Sequence, residues 1–491
     1  MLNTIIKNKE KISFILVLFL ILISLFTNYY GSTDMNDYAG VAKFFAGEYH
    51  AKIRTSHSIL YGFVHAPLLS IFNSFLIMKL TSLVWLVLII ISVYYISNKN
   101  KKTLFLTLIS PVIWYMGPWI NPIQLSSLLF LWGFFFMEKY DKTNHIPFLI
   151  YSGLLLGLSW AMWNTAIFML LFLIICYFYN RNVNHLFIFA ISVFVGFLPQ
   201  FILDIIYYSF PFYSTLKHVF GILEALIYGG IYKGNNPMTT SFVDIISVIL
   251  MLPIFGFVLF KEDNFSQNKR ATIFLTLGFL FILLNPQIRY VLILWPVLML
   301  YLPKLLRKKQ FVFQSAIFII VSLLVITPYI IQMAYPTNSP ELTSAINNFG
   351  KWTVSYTDEN KMILEDLSEI VIDYPNQTFI VGNKPDDYVI LASLYWGNGI
   401  KEFVSIQDYN LYLANESSLF EKKIESNSSI DRRQIWIGGG LERSENDDAD
   451  YQNIEFAIGL NGPVNLSSFE ELESYNVLYL SKRIIKTKGL D

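Results

Sequence analysis

The sequence predicts a polytopic α-helical membrane protein of about eleven transmembrane helices, followed by a C-terminal α/β domain outside the membrane. Three observations predict this fold class. The 491 residues are 54% hydrophobic and 17% aromatic, with a mean hydropathy of +0.48, values typical of membrane proteins rather than soluble enzymes. Apolar runs that approach the ~20 residues needed to cross a bilayer recur through residue 332. From about residue 334 onward, hydropathy falls and Asp, Glu, Asn and Ser become frequent.

The apolar runs predict eleven spans, the first of which is retained because its run is too long and has no clear cleavage site for a signal peptide. Pro111, Pro118 and Pro122 are expected to bend or end the helices around them. The predicted spans are residues 12–30, 76–97, 103–117, 122–138, 147–161, 163–180, 186–208, 241–260, 271–286, 288–303 and 311–332.

Lysine and arginine in the short loops predict the orientation, since cytoplasmic loops are enriched in both. One set of loops holds sixteen of them, at residues 7–11, 99–102, 139–142, 181, 261–270 and 304–309. The opposite set holds six, which are Lys43, Lys52, Arg54, Lys217, Lys233 and Arg289. The N-terminus is therefore predicted to be cytoplasmic, with the loop after the first span and the C-terminal region on the outer side of the plasma membrane.

Residues 1–332 are predicted to form the membrane domain, and residues 333–491 a soluble extracytoplasmic α/β domain. In the second part, apolar residues at helical spacing predict a helix at 361–372. Short apolar runs ending at turns predict strands at 379–382, 435–440 and 477–480. The alternation of helix and strand is typical of a small α/β domain.

Charge and cysteine content exclude several classes of site. The chain has 36 basic and 36 acidic residues, so it lacks the basic excess expected of a nucleic-acid-binding protein. Its single cysteine, Cys176, excludes an intrachain disulfide and a cysteine-based metal cluster.

Asp34 and Asp37 are the candidate catalytic residues. They follow the first span and are three positions apart, so on a helix they would share roughly one face. The alternative interpretation is a solvated helix cap, in which Thr33 or Asp34 caps a helix that begins near Met35. Their position where a polar cleft would meet the membrane surface favours a functional role.

The same outer loop supplies the candidate substrate-binding residues Arg54, His57, Tyr61 and His65. Arg54 is a candidate for binding a phosphate, because guanidinium offers paired donors and a fixed positive charge. The alternative interpretation, which the residue type favours, is that each histidine is an interfacial aromatic that makes one hydrogen bond. A divalent metal held by Asp34 with His57 or His65 stays open, since the spacing matches no strict motif.

Arg289 and Tyr290 stand at the predicted outer end of a late span and are further substrate-binding candidates. Arg289 would either clamp a lipid phosphate or anchor the helix among the headgroups with a snorkelling side chain. Asp204 lies late in the seventh span, where a charged side chain faces a partner or a cavity, unless it is simply hydrated at the outer edge.

Taken together, the ordered motifs resemble the GT-C superfamily of membrane glycosyltransferases, in particular its protein O-mannosyltransferase and aminoarabinose-transferase branch. The resemblance covers about residues 1–332. The sequence departs from the family pattern in two places: residues 117–121 lack the second acidic residue of many relatives, and residues 160–164 lack the basic residue often found there. The matching motifs are Asp34-x-x-x-Tyr38-x-x-x-Ala42-x-x-x-Ala46-Gly47, Ser56 to Tyr61 with Ala66-Pro67-Leu68, Gly153 to Leu158, Gly196 to Pro199 with Ser209 to Phe212, and Arg289-Tyr290.

The resemblance implies an inverting glycosyltransferase. It would move a sugar from a polyprenyl-phosphate-linked donor to an acceptor hydroxyl on a lipid, glycan or protein of the cell envelope. Asp34 would be the general base, and Arg289 with Arg54 would hold the leaving phosphate. The alternatives are an oligosaccharyltransferase-like enzyme, for which no Trp-Trp-Asp motif is found, a polytopic lipid or glycan transporter, and a non-catalytic assembly protein of surface-glycan synthesis.

Overall fold

The computed structural model describes residues 9–27, 38, 41–42, 45, 58–72, 75–179, 182–208, 210–228, 242–284, 286–334, 358–375, 377–382, 400–406, 409 and 454–484. Most of these residues are helical. In chain order the helices are α1 Lys9–Phe26, α2 Leu60–Phe72, α3 Phe75–Ile96, α4 Lys101–Leu108, α5 Pro111–Met116, α6 Pro122–Thr143, α7 Ile146–Met162, α8 Ala166–Phe178, α9 Val183–Tyr208, α10 Tyr213–Tyr228, α11 Phe242–Met251, a 3₁₀ helix Ile254–Phe260, α12 Glu262–Leu284, α13 Ile288–Val291, α14 Trp295–Leu305, α15 Lys308–Ala334 and α16 Asp358–Asp373.

Three helices in the described part of the chain are long and apolar enough to cross a membrane, namely Leu76–Ile96, Val183–Tyr207 and Lys308–Thr327. Large apolar side chains on these helices point outward: Ile91 is 54% exposed, Phe187 65% and Ile320 59%. Apolar side chains that cover the outside of a helix bundle are expected where the surrounding solvent is lipid.

Each predicted span contains helical residues, while the count of eleven membrane crossings stays a prediction. Three of the predicted spans are broken. The span at 103–117 is divided at Ser110 into α4 and α5, because Pro111 starts a new helix there. The span at 241–260 is an α-helix followed by a 3₁₀ helix, and the span at 288–303 is divided between α13 and α14.

Two helices, α2 and α10, were not predicted as spans. α2 has only 13 residues and contains His65 and Pro67, while α10 contains Lys217 and His218. At 13 residues, α2 is shorter than the ~20 residues that a bilayer span needs, while the charged and polar residues of α10 lower its hydropathy.

The chain forms two compact units. The first comprises Met1–Met35, His57–Tyr61 and Phe72–Ser355, and the second comprises Asn36–Ser56, Gly62–Ile71 and Tyr356–Asp491. The predicted boundary at residues 332 and 333 stays a prediction.

In the first unit, α7 packs extensively against both α6 and α9. Glycines bring α7 and α9 into backbone contact: a Cβ on Gly157 would overlap the Val193 carbonyl oxygen and lie 3.0 Å from the Gly196 Cα. A Cβ on Gly153 would likewise lie 2.5 Å from the Ser192 Cβ. Small residues four apart permit such close approach between helices in a bilayer. This contact fixes the position of α7 relative to α9.

We expect Gly157→Ala to destabilise the helix bundle by about 2 kcal/mol, because overpacking against backbone forces the two helices apart. The apparent Tm of the detergent-solubilised protein should fall. Gly256→Ala is the matched control, since a Cβ there meets no atom within 4 Å. Equal melting temperatures for the two variants would contradict the proposed close contact.

The second unit contains a five-stranded sheet of order β2-β1-β3-β5-β4. β1 lies between β2 and β3 in parallel pairings, while β5 pairs with β3 and β4 antiparallel. The strands are β1 Gln377–Val381, β2 Ile400–Ser405, β3 Phe456–Leu460, β4 Phe469–Ser474 and β5 Leu478–Arg483.

The predicted helix at 361–372 is confirmed as α16, and the predicted strands at 379–382 and 477–480 lie on β1 and β5. The predicted strand at 435–440 lies outside the described residues. Asp366 joins α16 to the sheet, because its Oδ2 accepts hydrogen bonds from the backbone N–H groups of Val477 (2.8 Å) and Leu478 (3.0 Å).

Candidate functional site

The eight predicted site residues divide into two groups of four. Tyr61, His65, Arg289 and Tyr290 belong to the described residues. Outside the described residues lie Asp34, Asp37, Arg54 and His57. The roles assigned to the latter four stay predictions from the sequence.

Arg289 is buried in the short helix α13, with 8% of its surface exposed. Its Nε donates a hydrogen bond to Gln287 Oε1 at 2.7 Å, and its guanidinium carbon lies 5.2 Å from the centre of the Tyr290 ring. A snorkelling arginine would extend its head group into the lipid interface. The burial therefore favours an arginine that serves a site within the helix bundle.

Tyr290 contacts the turn that follows α7, where its ring lies 5.6 Å from the ring of Trp163 between centroids. The same turn contacts α10. Thr215 Oγ1 donates to Asn164 Oδ1 at 3.2 Å, and Thr165 Oγ1 lies 2.7 Å from His218 Nε2. We call residues 161–165, which comprise the last two residues of α7 and the turn after it, the α7 turn. It brings the Arg289 segment and the start of α10 to the same end of the bundle.

An aromatic stack supports this turn. Trp160 and Phe197 lie nearly parallel with ring centroids 3.9 Å apart, and Phe212 stacks on Phe197 at 5.4 Å. Phe212 has a φ of +60°, which is unusual for a bulky residue. Its ring packing within the stack stabilises this backbone conformation at the start of α10.

Tyr61 and His65 are both buried in α2. The Tyr61 hydroxyl lies 3.1 Å from Ser82 Oγ on α3, which shows that it contributes to packing between the start of α2 and α3. Contact of either residue with a substrate stays a prediction.

Lys79 is a basic residue that the sequence reasoning missed. It is fully buried on α3, and its Nζ donates to the Thr27 carbonyl oxygen at 2.6 Å. Thr27 directly follows α1 and precedes Asp34 by seven residues in the sequence. The Lys79 amino group therefore lies at the C-terminal end of α1. A lysine inside a span was the available signal, because intramembrane charges mark functional sites by default.

Asp204 is fully buried rather than hydrated at the edge. Its Oδ1 accepts from Gln200 Nε2 at 2.7 Å and its Oδ2 from Ser214 Oγ at 3.1 Å. The expectation that it faces partners is confirmed. Gln200 was missed, because an uncharged amide does not stand out in an apolar run.

The described residues contain no group of three or more His, Cys, Asp or Glu side chains placed to hold a metal ion. The metal considered for Asp34 with His57 or His65 involves residues outside the described part of the chain.

Three basic side chains, Arg289, Lys79 and Lys217, are buried in the first unit, where low polarity strengthens the attraction between a protonated base and an anion. Arg289 offers the planar, paired donors that match phosphate oxygens, whereas a lysine acts as a point charge.

Solved structures share this fold over nearly the whole chain. ArnT, the aminoarabinose transferase from Cupriavidus metallidurans, bound to undecaprenyl phosphate, matches with a TM-score of 0.60 at 10% identity, covering 99% of both chains. The apo form of the same enzyme matches with a TM-score of 0.59 at 10% identity, covering 98% of both chains.

The apo oligosaccharyltransferase from Archaeoglobus fulgidus matches with a TM-score of 0.50 at 13% identity, covering 91% of this chain and 69% of that one. No known protein-family profile and no curated protein sequence matches the chain. The predicted resemblance to the GT-C glycosyltransferases is thus confirmed at the level of the fold, which is that of a membrane protein.

Proposed function

We propose that this protein is an inverting glycosyltransferase, which moves a sugar from a polyprenyl-phosphate-linked donor to an acceptor hydroxyl at the outer face of the membrane. The observation that carries the proposal is the fold match over 99% of both chains to a glycosyltransferase bound to undecaprenyl phosphate. The buried cations and the acidic residues that follow α1 support it.

In the proposed reaction, the acceptor oxygen attacks the anomeric carbon from the side opposite to the phosphate. The new carbon–oxygen bond forms as the bond from the anomeric carbon to the phosphate oxygen breaks, which inverts the anomeric centre. Asp34 takes the proton of the acceptor hydroxyl. The electron pair of the broken bond leaves on polyprenyl phosphate.

Arg289 stabilises the negative charge that grows on this leaving phosphate. A buried guanidinium held by Gln287 is already oriented, so little reorganisation accompanies the reaction. Lys79 supplies a second basic group at the end of α1. We propose two further roles from the sequence alone. Arg54 contacts the phosphate, and Asp37 orients the acceptor.

The test is transfer of radiolabelled sugar from a panel of polyprenyl-phosphate sugars in membranes that contain the protein. Membranes without it, and nucleotide sugars as donors, are the controls. We expect transfer from at least one lipid-linked donor and none from nucleotide sugars alone. Absence of transfer from every donor would reject the proposal in favour of a transporter or a non-catalytic assembly protein.

We further propose that the chain crosses the plasma membrane eleven times, with a cytoplasmic N-terminus and residues 333–491 as an extracytoplasmic α/β domain. The loop charges of sixteen against six support this orientation. In intact cells, an impermeant maleimide should label Glu470→Cys, an exposed position on β4, but not Lys308→Cys, an exposed position at the start of α15. Both variants carry Cys176→Ala, and the opposite labelling pattern would invert the topology.

A further inference from the structure

A buried amide joins the start of α2 to two other helices. Gln200 on α9 is fully buried. Its Oε1 accepts from Ser58 Oγ at 2.8 Å and from the backbone N–H of Leu60 at 2.9 Å. Its Nε2 donates to Asp204 Oδ1 at 2.7 Å and to Ser214 Oγ at 3.2 Å. All four hydrogen-bonding positions of the amide are thereby used.

The oxygen and the nitrogen of the Gln200 amide have different roles. The N–H groups in the first turn of a helix have no partner within that helix, and Gln200 Oε1 supplies one to Leu60, the first residue of α2. The backbone N–H of Leu60 can only donate, so it faces Oε1, and Nε2 is thereby directed to the oxygens of Asp204 and Ser214. Oε1 is then held toward Leu60.

Ser58 connects the same network to the α7 turn, because its hydroxyl also contacts the Ala161 carbonyl oxygen. The α7 turn carries Trp163, which packs against Tyr290 beside Arg289. Ser58 is therefore linked, through buried contacts of the α7 turn, to α13, the helix that contains Arg289.

We propose that Gln200 is a positioning residue of the transferase, and that it holds Ser58 and Leu60, which follow the sequence segment containing Asp34, at a fixed place beside the α7 turn. This inference rests on the proposed function. Gln200 itself touches neither base nor phosphate in this scheme. Asp204 and Ser214 act through Gln200 by holding its amide in one orientation.

The experiment compares Gln200→Leu, which removes all four hydrogen bonds, with Gln314→Leu as the matched control. Gln314 is also fully buried and accepts from a backbone N–H, that of Phe255 at 3.3 Å, but it lies on α15 in a separate contact. Amide hydrogen exchange of peptides that cover residues 58–62, and the kcat and donor KM of sugar transfer, are measured for each variant.

We expect Gln200→Leu to accelerate exchange at residues 58–62 at least tenfold and to lower kcat at least tenfold, with the donor KM changed less than about threefold. Gln314→Leu should leave all three quantities near wild type. Ser58→Ala, a smaller change that keeps the Leu60 bond, should give an effect in the same direction but weaker, and it serves if Gln200→Leu fails to fold.

Unchanged exchange in both Gln200→Leu and Ser58→Ala would refute the anchor. Faster exchange with a wild-type kcat would refute the positioning role and leave Gln200 a structural residue only. A wild-type protein that transfers no sugar would refute the proposed function, whereas the exchange measurement would still decide whether Gln200 anchors the start of α2.

Discussion

Asp34→Asn should lower sugar transfer by about 10² to 10⁴-fold in membranes that contain equal amounts of the protein, which is the range contributed by a general base. Asparagine has nearly the shape of aspartate but cannot accept the proton of the acceptor hydroxyl. The measurement is the initial rate with a saturating lipid-linked donor.

Two further variants test whether the effect is specific to Asp34. Asp37→Asn should cost less, because Asp37 is proposed to orient the acceptor rather than to take its proton. Asp263→Asn removes an exposed carboxylate at the start of α12 and should leave transfer unchanged. If Asp34→Asn retains transfer while Asp37→Asn abolishes it, the base is Asp37.

Arg289→Gln should lower kcat by about 10² to 10³-fold, because it removes the charge that stabilises the leaving phosphate in the transition state. Arg289→Lys should recover part of the loss, since lysine keeps the charge without the planar pair of donors. The rate is measured over a range of donor concentrations, so that kcat and the donor KM are separated.

Arg307→Gln is the control for Arg289. Arg307 is exposed between α14 and α15, on the predicted cytoplasmic side, so its loss should leave transfer intact. Inhibition by added undecaprenyl phosphate gives an independent readout and should weaken in Arg289→Gln. A variant with normal kcat and normal inhibition would show that Arg289 only anchors its helix.

Hydropathy predicted the helices well wherever a segment is uniformly apolar, as for α3 and α9. It failed where a helix is short, as α2, or carries charged residues, as α10. The proline at 111 predicted the break within 103–117, whereas nothing predicted the break within 288–303. A break depends on how the chain packs around a proline or a turn, whereas hydropathy averages over many residues.

Some residues of the candidate site could also be predicted from the sequence, whereas others could not. The sequence singled out Arg289 because a charge is conspicuous near an apolar run, and the structure adds that this arginine is buried and held by Gln287. Lys79 carried the same signal but was overlooked. Gln200 offered no such signal, because its importance depends on Ser58 and Leu60, which lie 142 and 140 residues away in the chain.

The sequence by itself predicted a helical membrane protein with a fold like that of the GT-C glycosyltransferases, with acidic and basic residues at predicted outer ends of spans. It could do so because a lipid solvent imposes composition and charge asymmetry on each segment separately. Only the tertiary structure decided which side chains meet: the glycine contact of α7 with α9, the α7 turn against Tyr290, and the amide of Gln200 at the start of α2. Such contacts depend on the packing of distant segments, and no local pattern in the sequence encodes that packing.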